Sequence, residues 1–239
     1  MALVETGETA VVHLALDGTR FGFTGSLDLS QPFTSTAEVN VRGRRYEFVA
    51  GAVGLGDDLA DALGVPAFDE ELRFADGTLR IGRASRHDAG THRQEDLLLA
   101  QWRGERYGLI GHFYGSSSRA VLGILNTLRI AEQQDGVTIG PFGSDNEFVG
   151  PACVVKQVPR LGLVEVTTPA APQATRLPAW RGVTTPSGEL FTDTLSDGSK
   201  YFVLAGEGTW ATVIPLADTE IERVPELLGG LRLRLIRSE

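Results

Sequence analysis

The chain has 239 residues, 42% hydrophobic and 22% charged, a globular balance with enough apolar matter for one large core or two smaller ones. Its formal charge of −9, with arginines scattered among the acids, argues against a surface built to neutralise nucleic-acid phosphates. The one cysteine, Cys153, excludes an intrachain disulfide and a thiolate metal cage, and no run of about 18 apolar residues offers a membrane-spanning helix.

In chain order, "TAVVHLALDGTRFGFTG" reads as a hairpin turning at Asp17-Gly18, because Asp-Gly accepts the positive backbone angles of a tight turn. "AEVNVRGRRYEFVAG" repeats the plan around Arg42-Gly43, and "DDLADALG" (57–64) sets Leu59, Ala62 and Leu63 on one helical face ended by Gly64. A further hairpin turns at Asp76-Gly77, a polar stretch over 85–96 reads as a mobile loop, and another hairpin turns near Arg103-Gly104. "SSSRAVLGILNTLRIAEQ" (116–133) is the strongest helix expectation: Val121, Leu122, Leu125 and Leu128 form its apolar stripe, and a serine of 116–118 caps it. Strands follow in "EFVGPACVVKQVP" and "LGLVEVTTP", then an Ala/Pro-rich crossing over 170–178. A hairpin at Asp197-Gly198, a strand "WATVIPL", a helix marked by Ile221, Val224, Leu227 and Leu228, and an alternating edge strand "LRLRLIR" close the chain.

Two endings match. "ILNTLRI" (124–130) is answered by "LLGGLRL" (227–233). Three hairpins, at 42–51, 103–111 and 197–206, each join a Gly turn, a basic residue, a tyrosine, an apolar strand and a closing Gly, which sets Tyr46, Tyr107 and Tyr201 in one expected register. The pattern predicts an α+β protein of antiparallel β-meanders with about three packed helices, in an internally duplicated, two-lobed arrangement. The expected lobes are 1–140 and 141–239, with the boundary somewhere between 135 and 180.

From Tyr107 to Ile130 the order of strand, Ser/Gly loop, helix and Leu-Arg-Ile ending resembles the closing segment of the PsbP/Mog1/LpqN-type α/β sandwich, and 201–233 repeats it. The resemblance covers about a quarter of the chain. It implies an antiparallel sheet with helices packed on it and an accessory or binding role. It carries no functional residue across, because no functional motif matches.

The chemistry-bearing candidates are few. His87 and His92 stand with Asp88, Glu95 and Asp96 in the densest collection of possible metal ligands. "GHFYGSSSR" (111–119) offers His112, three serines and Arg119 at a helix start, where free amides attract anions. Gly54-Leu55-Gly56 is half a dinucleotide fingerprint, but Asp57 and Asp58 occupy the place of the phosphate. Cys153 lies among apolar residues, as an inert thiol does.

The leading expectation is therefore a non-catalytic protein-binding or assembly protein: an adaptor, a chaperone-like partner or a subunit of a larger complex, with no cofactor. Its interaction surface is expected at Tyr46, Tyr107, Tyr201, Trp102 and Trp210, against the alternative that these aromatics fill the core. The competing expectation is a metal- or anion-dependent enzyme that uses the 85–96 loop and the 111–119 turn. The partner expected is another protein or a second copy, with no nucleic acid and no membrane span, in the cytoplasm or in a larger particle.

Overall fold

The computed structural model describes residues 7–88, 93–170, 181–217 and 219–236, with only the backbone of 86–88 and 93–95. The expected crossing at 170–178 thus falls almost wholly outside the described residues. In chain order the strands are β1 (Thr9–Leu14), β2 (Arg20–Gly25), β3 (Phe33–Val41) and β4 (Arg44–Ala52), followed by helix α1 (Leu55–Leu63). β5 (Phe68–Phe74), β6 (Gly77–Asp88), β7 (Arg93–Arg103) and β8 (Tyr107–Tyr114) lead to helix α2 (Ser118–Leu125). Then come β9 (Leu128–Gln133), β10 (Gly136–Pro141), β11 (Asn146–Phe148), β12 (Cys153–Val158) and β13 (Gly162–Thr167). The chain ends with β14 (Val183–Thr185), β15 (Gly188–Thr194), β16 (Lys200–Ala205), β17 (Trp210–Ile214), a 3-10 turn, α3 (Val224–Gly229) and β18 (Arg232–Ile236).

The molecule is α+β and mostly antiparallel sheet, with three short helices among the described residues. It divides into two compact units that a single cut does not separate. Unit 1 comprises residues 1–15, 19–33 and 151–239; unit 2 comprises 16–18 and 34–150. The chain passes from unit 2 to unit 1 at 150/151, and most of the first 33 residues group with the residues after it. Strand pairing is non-local, so the turn signals that place each hairpin say nothing of which unit it joins.

In unit 2 the strands run β5-β6-β7-β8-β4-β3, with β11 on the outer side of β3. The Arg42-Gly43 turn, with Arg42 at φ 51° and Gly43 at φ 81°, sets Glu38 opposite Glu47 and Val39 opposite Tyr46. Alternation buries Ala37, Val39, Phe48, Phe113, Leu79, Ile81 and Trp102 on one face. Trp102 is 2% exposed, and its indole N–H donates to the Phe74 carbonyl at 3.0 Å. The opposite face receives α1, where Ala60 and Val65 pack on Leu99 and Ile110.

The start of α1 is built for this packing and leaves no phosphate site. Arg80 donates to Asp57 at 2.8 Å and to the Gln101 side chain at 3.2 Å. Gln101 is fully buried beneath Gly56, where any Cβ would collide with its amide. Gly56→Val is expected to lift α1 from the sheet and destabilise the protein by about 2–4 kcal/mol, the ordinary cost of overpacking plus a broken buried polar cluster. Urea denaturation of the variant beside Gly54→Ala, where a Cβ meets open space, checks this.

Two expectations over 85–133 change. Residues 85–88 and 93–96 are the outer arms of the β6–β7 hairpin, with Ser85 opposite Asp96 and His87 opposite Gln94, so most of the expected loop is strand. The long helix over 116–133 is only α2. Ser117 caps it through Ala120 N–H, and the Thr127 hydroxyl and amide both turn back to the Ile124 carbonyl. Leu128 and Ile130 then alternate inward on β9, a period-2 pattern that a continued helix would split across two faces.

In unit 1 the strands run β14-β15-β16-β17-β13-β12, and β18-β2-β1 form a smaller antiparallel set. β18 stands at the edge of that set, as its alternation predicts. Lys156 sits on the inward face of β12 between Val154 and Val158, is 1% exposed, and donates through Nζ to the Gln31 carbonyl. Burial pushes its amine below the ordinary lysine range, and nearby Asp28 partly opposes that shift.

Candidate functional site

Unit 2 holds a cleft of about 480 Å3, lined by Glu38, Arg44, Arg45, Tyr46, Glu47, His112, Phe113, Tyr114 and Ser116, residues drawn from both faces of the sheet. The register explains its composition. Glu38 opposes Glu47, and one step beyond the Phe48–Gly111 pair Glu47 comes beside His112. His112 opposes Leu99 and Tyr114 opposes Leu97, so an imidazole and a phenol extend the row onto β8. Their rings meet edge to face at 5.8 Å, and Tyr114 is 51% exposed.

Directly opposed glutamates repel each other. Two arginines stand at the same cleft, yet neither they nor the two glutamates form an ion pair within 4.0 Å among the described residues. The cleft is thus lined by two carboxylates, two guanidiniums, an imidazole and two phenols. Chemically the cleft can pair with charged groups of either sign.

The expected surface aromatics divide. Trp102 is core, and Trp210, 8% exposed, packs with Phe191 and Val203, so neither lines a surface. Tyr46 lines the cleft, its half-buried ring tilted against Phe113 at 5.6 Å on the apolar side of the sheet. Tyr107 is held by local structure: the Glu132 carboxylate accepts the backbone N–H groups of Glu105, Arg106 and Tyr107, and the Tyr107 hydroxyl donates to the Gln134 carbonyl. Burial raises the Tyr107 phenol above its usual range. The Tyr201 hydroxyl donates to Asp193 at 3.2 Å. The three tyrosines do not share one structural position, because β4, β8 and β16 hold different ranks in their sheets.

The serine turn at 116–118 is occupied by the protein's own groups. The Ser118 hydroxyl donates to Glu70 at 2.7 Å, and Arg83 reaches both of them. These bonds, the serine's first, hold the Glu70 carboxyl below its ordinary range. A carboxylate already stands at the start of α2, so the expected anion site is filled from within.

His92 lies outside the described residues, as does the side chain of His87. On β7, Gln94, the partner of His87, stands five residues from Leu99, the partner of His112, roughly 17 Å at the usual strand rise. The two stretches of the enzyme expectation do meet, where Gly115 donates to the Asp96 carbonyl at 2.9 Å, but the backbone of His87 stands well along the hairpin from that of His112. Among the described residues no three His, Cys, Asp or Glu side chains are grouped to hold a metal ion.

No family model, curated protein or solved structure matches the chain. Of the cleft residues, sequence reasoning singled out Tyr46, His112 and Ser116 and missed Glu38, Arg44, Arg45, Glu47 and Tyr114. The signal for the glutamates was present. A two-residue turn at Arg42-Gly43 dictates that residues 38 and 47 face each other.

Proposed function

We propose that the protein is a non-catalytic binding or assembly protein that takes up a charged segment of another polypeptide in the Glu38–Tyr114 cleft. The observation that carries this reading is the set of four charged side chains, two of each sign, gathered at one cleft without an ion pair among the described residues. A partner that brings complementary charges relieves the Glu38–Glu47 repulsion and gains register as well as affinity. The exposed Tyr114 ring adds the kind of rigid amphipathic contact that interfaces favour. A protein of this kind acts in the cytoplasm or within a larger particle.

The two units also support an internal duplication, though not in the register that the hairpin motifs suggest. β5-β6-β7-β8-β4-β3 and β14-β15-β16-β17-β13-β12 have the same order relative to the chain, and each is followed by a helix and an outgoing strand. The helix exits agree in detail: Thr127 N–H returns to Ile124, and Gly230 N–H to Leu227. In that alignment β8 corresponds to β17, with β16 the counterpart of β7. The likeness to the PsbP/Mog1/LpqN-type sandwich rests on the same helix-to-strand passage and remains one of pattern.

The binding reading is tested by Glu38→Lys with Glu47→Lys, both on exposed strand positions. A photo-crosslinker at position 114 is expected to join one defined polypeptide in native extract, and the double variant to reduce that product at least tenfold with an unchanged unfolding midpoint. An equal yield from the double variant, or from a crosslinker placed at exposed Thr192, contradicts the reading.

A further inference from the structure

A second surface lies wholly in unit 1, at the outer edge of β18. β18 pairs with β2 on one side only, with Leu233 opposite Phe23 and Leu235 opposite Phe21. The Leu233 N–H donates to Ser187 Oγ at 2.8 Å, and the Ser187 hydroxyl donates to the Leu231 carbonyl at 2.8 Å. A single buried serine from the β14–β15 turn thus does there what a neighbouring strand would do. In an antiparallel ladder the N–H and C=O of one residue point the same way, and the direction alternates along the strand. Since Leu233 N–H is turned from β2, so are Leu233 C=O and Leu235 N–H. Neither is bonded elsewhere among the described residues.

These groups belong to residues lining a cleft of about 570 Å3, bounded by Pro186–Gly188 on one side and Glu207–Thr209 on the other. Its size is ordinary for a ligand cleft, and Gly208 keeps one wall low, since a Cβ there would come against Leu235. The neighbouring surface is basic. Arg232 and Arg234 are exposed at alternate positions of β18, opposite Thr24 and Gly22, and the Arg234 stem lies over Gly22. On a chain of net charge −9 this is a local reversal of sign.

We propose that the β18 edge receives an extended acidic segment of a partner polypeptide by strand addition. Main-chain groups of the segment complete the bonds that Ser187 begins. The segment's side chain opposite Arg234, flanked by the two open groups, then falls beside that guanidinium, with Arg232 on the same face of β18, where opposite charge across strands is favourable. The side chains on either side of it are small or apolar, since they lie toward Leu233 and Leu235. Glu207, the one acid lining the cleft, disfavours a carboxylate at that end and so helps to fix the register. This surface shares no residue with the Glu38–Tyr114 cleft, and its test is independent of that one.

The probe is the blocked peptide acetyl-(Glu-Val)3-amide, compared with acetyl-(Lys-Val)3-amide, in amide NMR titrations of the full chain. The acidic peptide is expected to shift the Leu233–Leu235 amides and to slow exchange of Leu235 N–H about tenfold or more. Leu235→Pro removes that outward N–H without touching the β18–β2 ladder, as edge positions allow, and is expected to abolish the response. Arg232→Glu with Arg234→Glu is expected to transfer the response to the lysine peptide. No shift at millimolar peptide, an equal response to both peptides, persistence of binding in the Leu235→Pro variant, or dimerisation of the free chain through this edge overturns the proposal.

Discussion

Trp102→Ala is expected to destabilise the protein by about 3–5 kcal/mol, the cost of emptying a well-packed aromatic site. Trp102 is the largest of the fully buried side chains among the described residues, and Gly77 lies against its ring so closely that any Cβ there would collide with it. The loss is more than volume, because the Phe74 carbonyl gives up the indole N–H at the tight β5–β6 turn. Trp102→Phe keeps most of the volume and loses the bond, so about 1–2 kcal/mol is expected for it. Chemical denaturation of both variants separates the two contributions. A shift of under about 1 kcal/mol for the alanine variant would place Trp102 outside the core and restore it as a surface residue.

Lys156 gives the second large effect, and its sign depends on the replacement. Lys156→Ala removes a buried four-carbon stem between Val154 and Val158, at an expected cost of about 2–4 kcal/mol. Lys156→Met keeps the volume and removes the need to bury an ammonium group. Gln31 itself is exposed, so its carbonyl can turn to water. The methionine variant is therefore expected to equal the wild type or to exceed it by about 1 kcal/mol. The pH dependence follows from the lowered folded-state pKa. Between that value and the unfolded lysine range the unfolded chain binds more protons, so stability rises with pH through the window. Below the folded pKa the full burial penalty is present. Equilibrium unfolding between neutral and alkaline pH is expected to show this rise in the wild type and to lose it in Lys156→Met. A parallel rise in both proteins would assign it to other groups.

Local signals were legible in the sequence wherever one turn or one short period decides the structure. Asp17-Gly18, Arg42-Gly43 and Asp197-Gly198 turn where they should, with Gly18, Gly43 and Gly198 at φ 89°, 81° and 88°. Ala75, at φ 49°, shows that the next turn lies one residue before Asp76-Gly77. α1 ends at Gly64 in the left-handed region, as its sequence implies. What failed was competition between periods. Leu125 and Leu128 suit a helix three residues apart, while Leu128 and Ile130 suit a strand two apart, and Thr127 settles the contest by bonding back to Ile124.

Burial across strands was hidden too. Lys156 occupies an inward slot between two valines, and a charged residue there reads from sequence as a break in the strand pattern. Trp102 and Trp210 looked equally suited to core or surface, since nothing local distinguishes an inward from an outward aromatic. The cleft was half visible: Tyr46 and His112 stood out as residue types, whereas Glu38 and Glu47 matter only through their pairing. The division into units was beyond local reading, because the N-terminal hairpin joins residues after 150.

Native mass spectrometry of the protein isolated from its own cells without chelator, compared with the Glu38→Lys, Glu47→Lys variant, tests the binding account most directly. The account predicts a bound polypeptide at stoichiometric occupancy in the wild type and its loss in the variant, with both proteins folded. A stoichiometric metal ion or small ligand, retained by both proteins with no polypeptide bound, would contradict it.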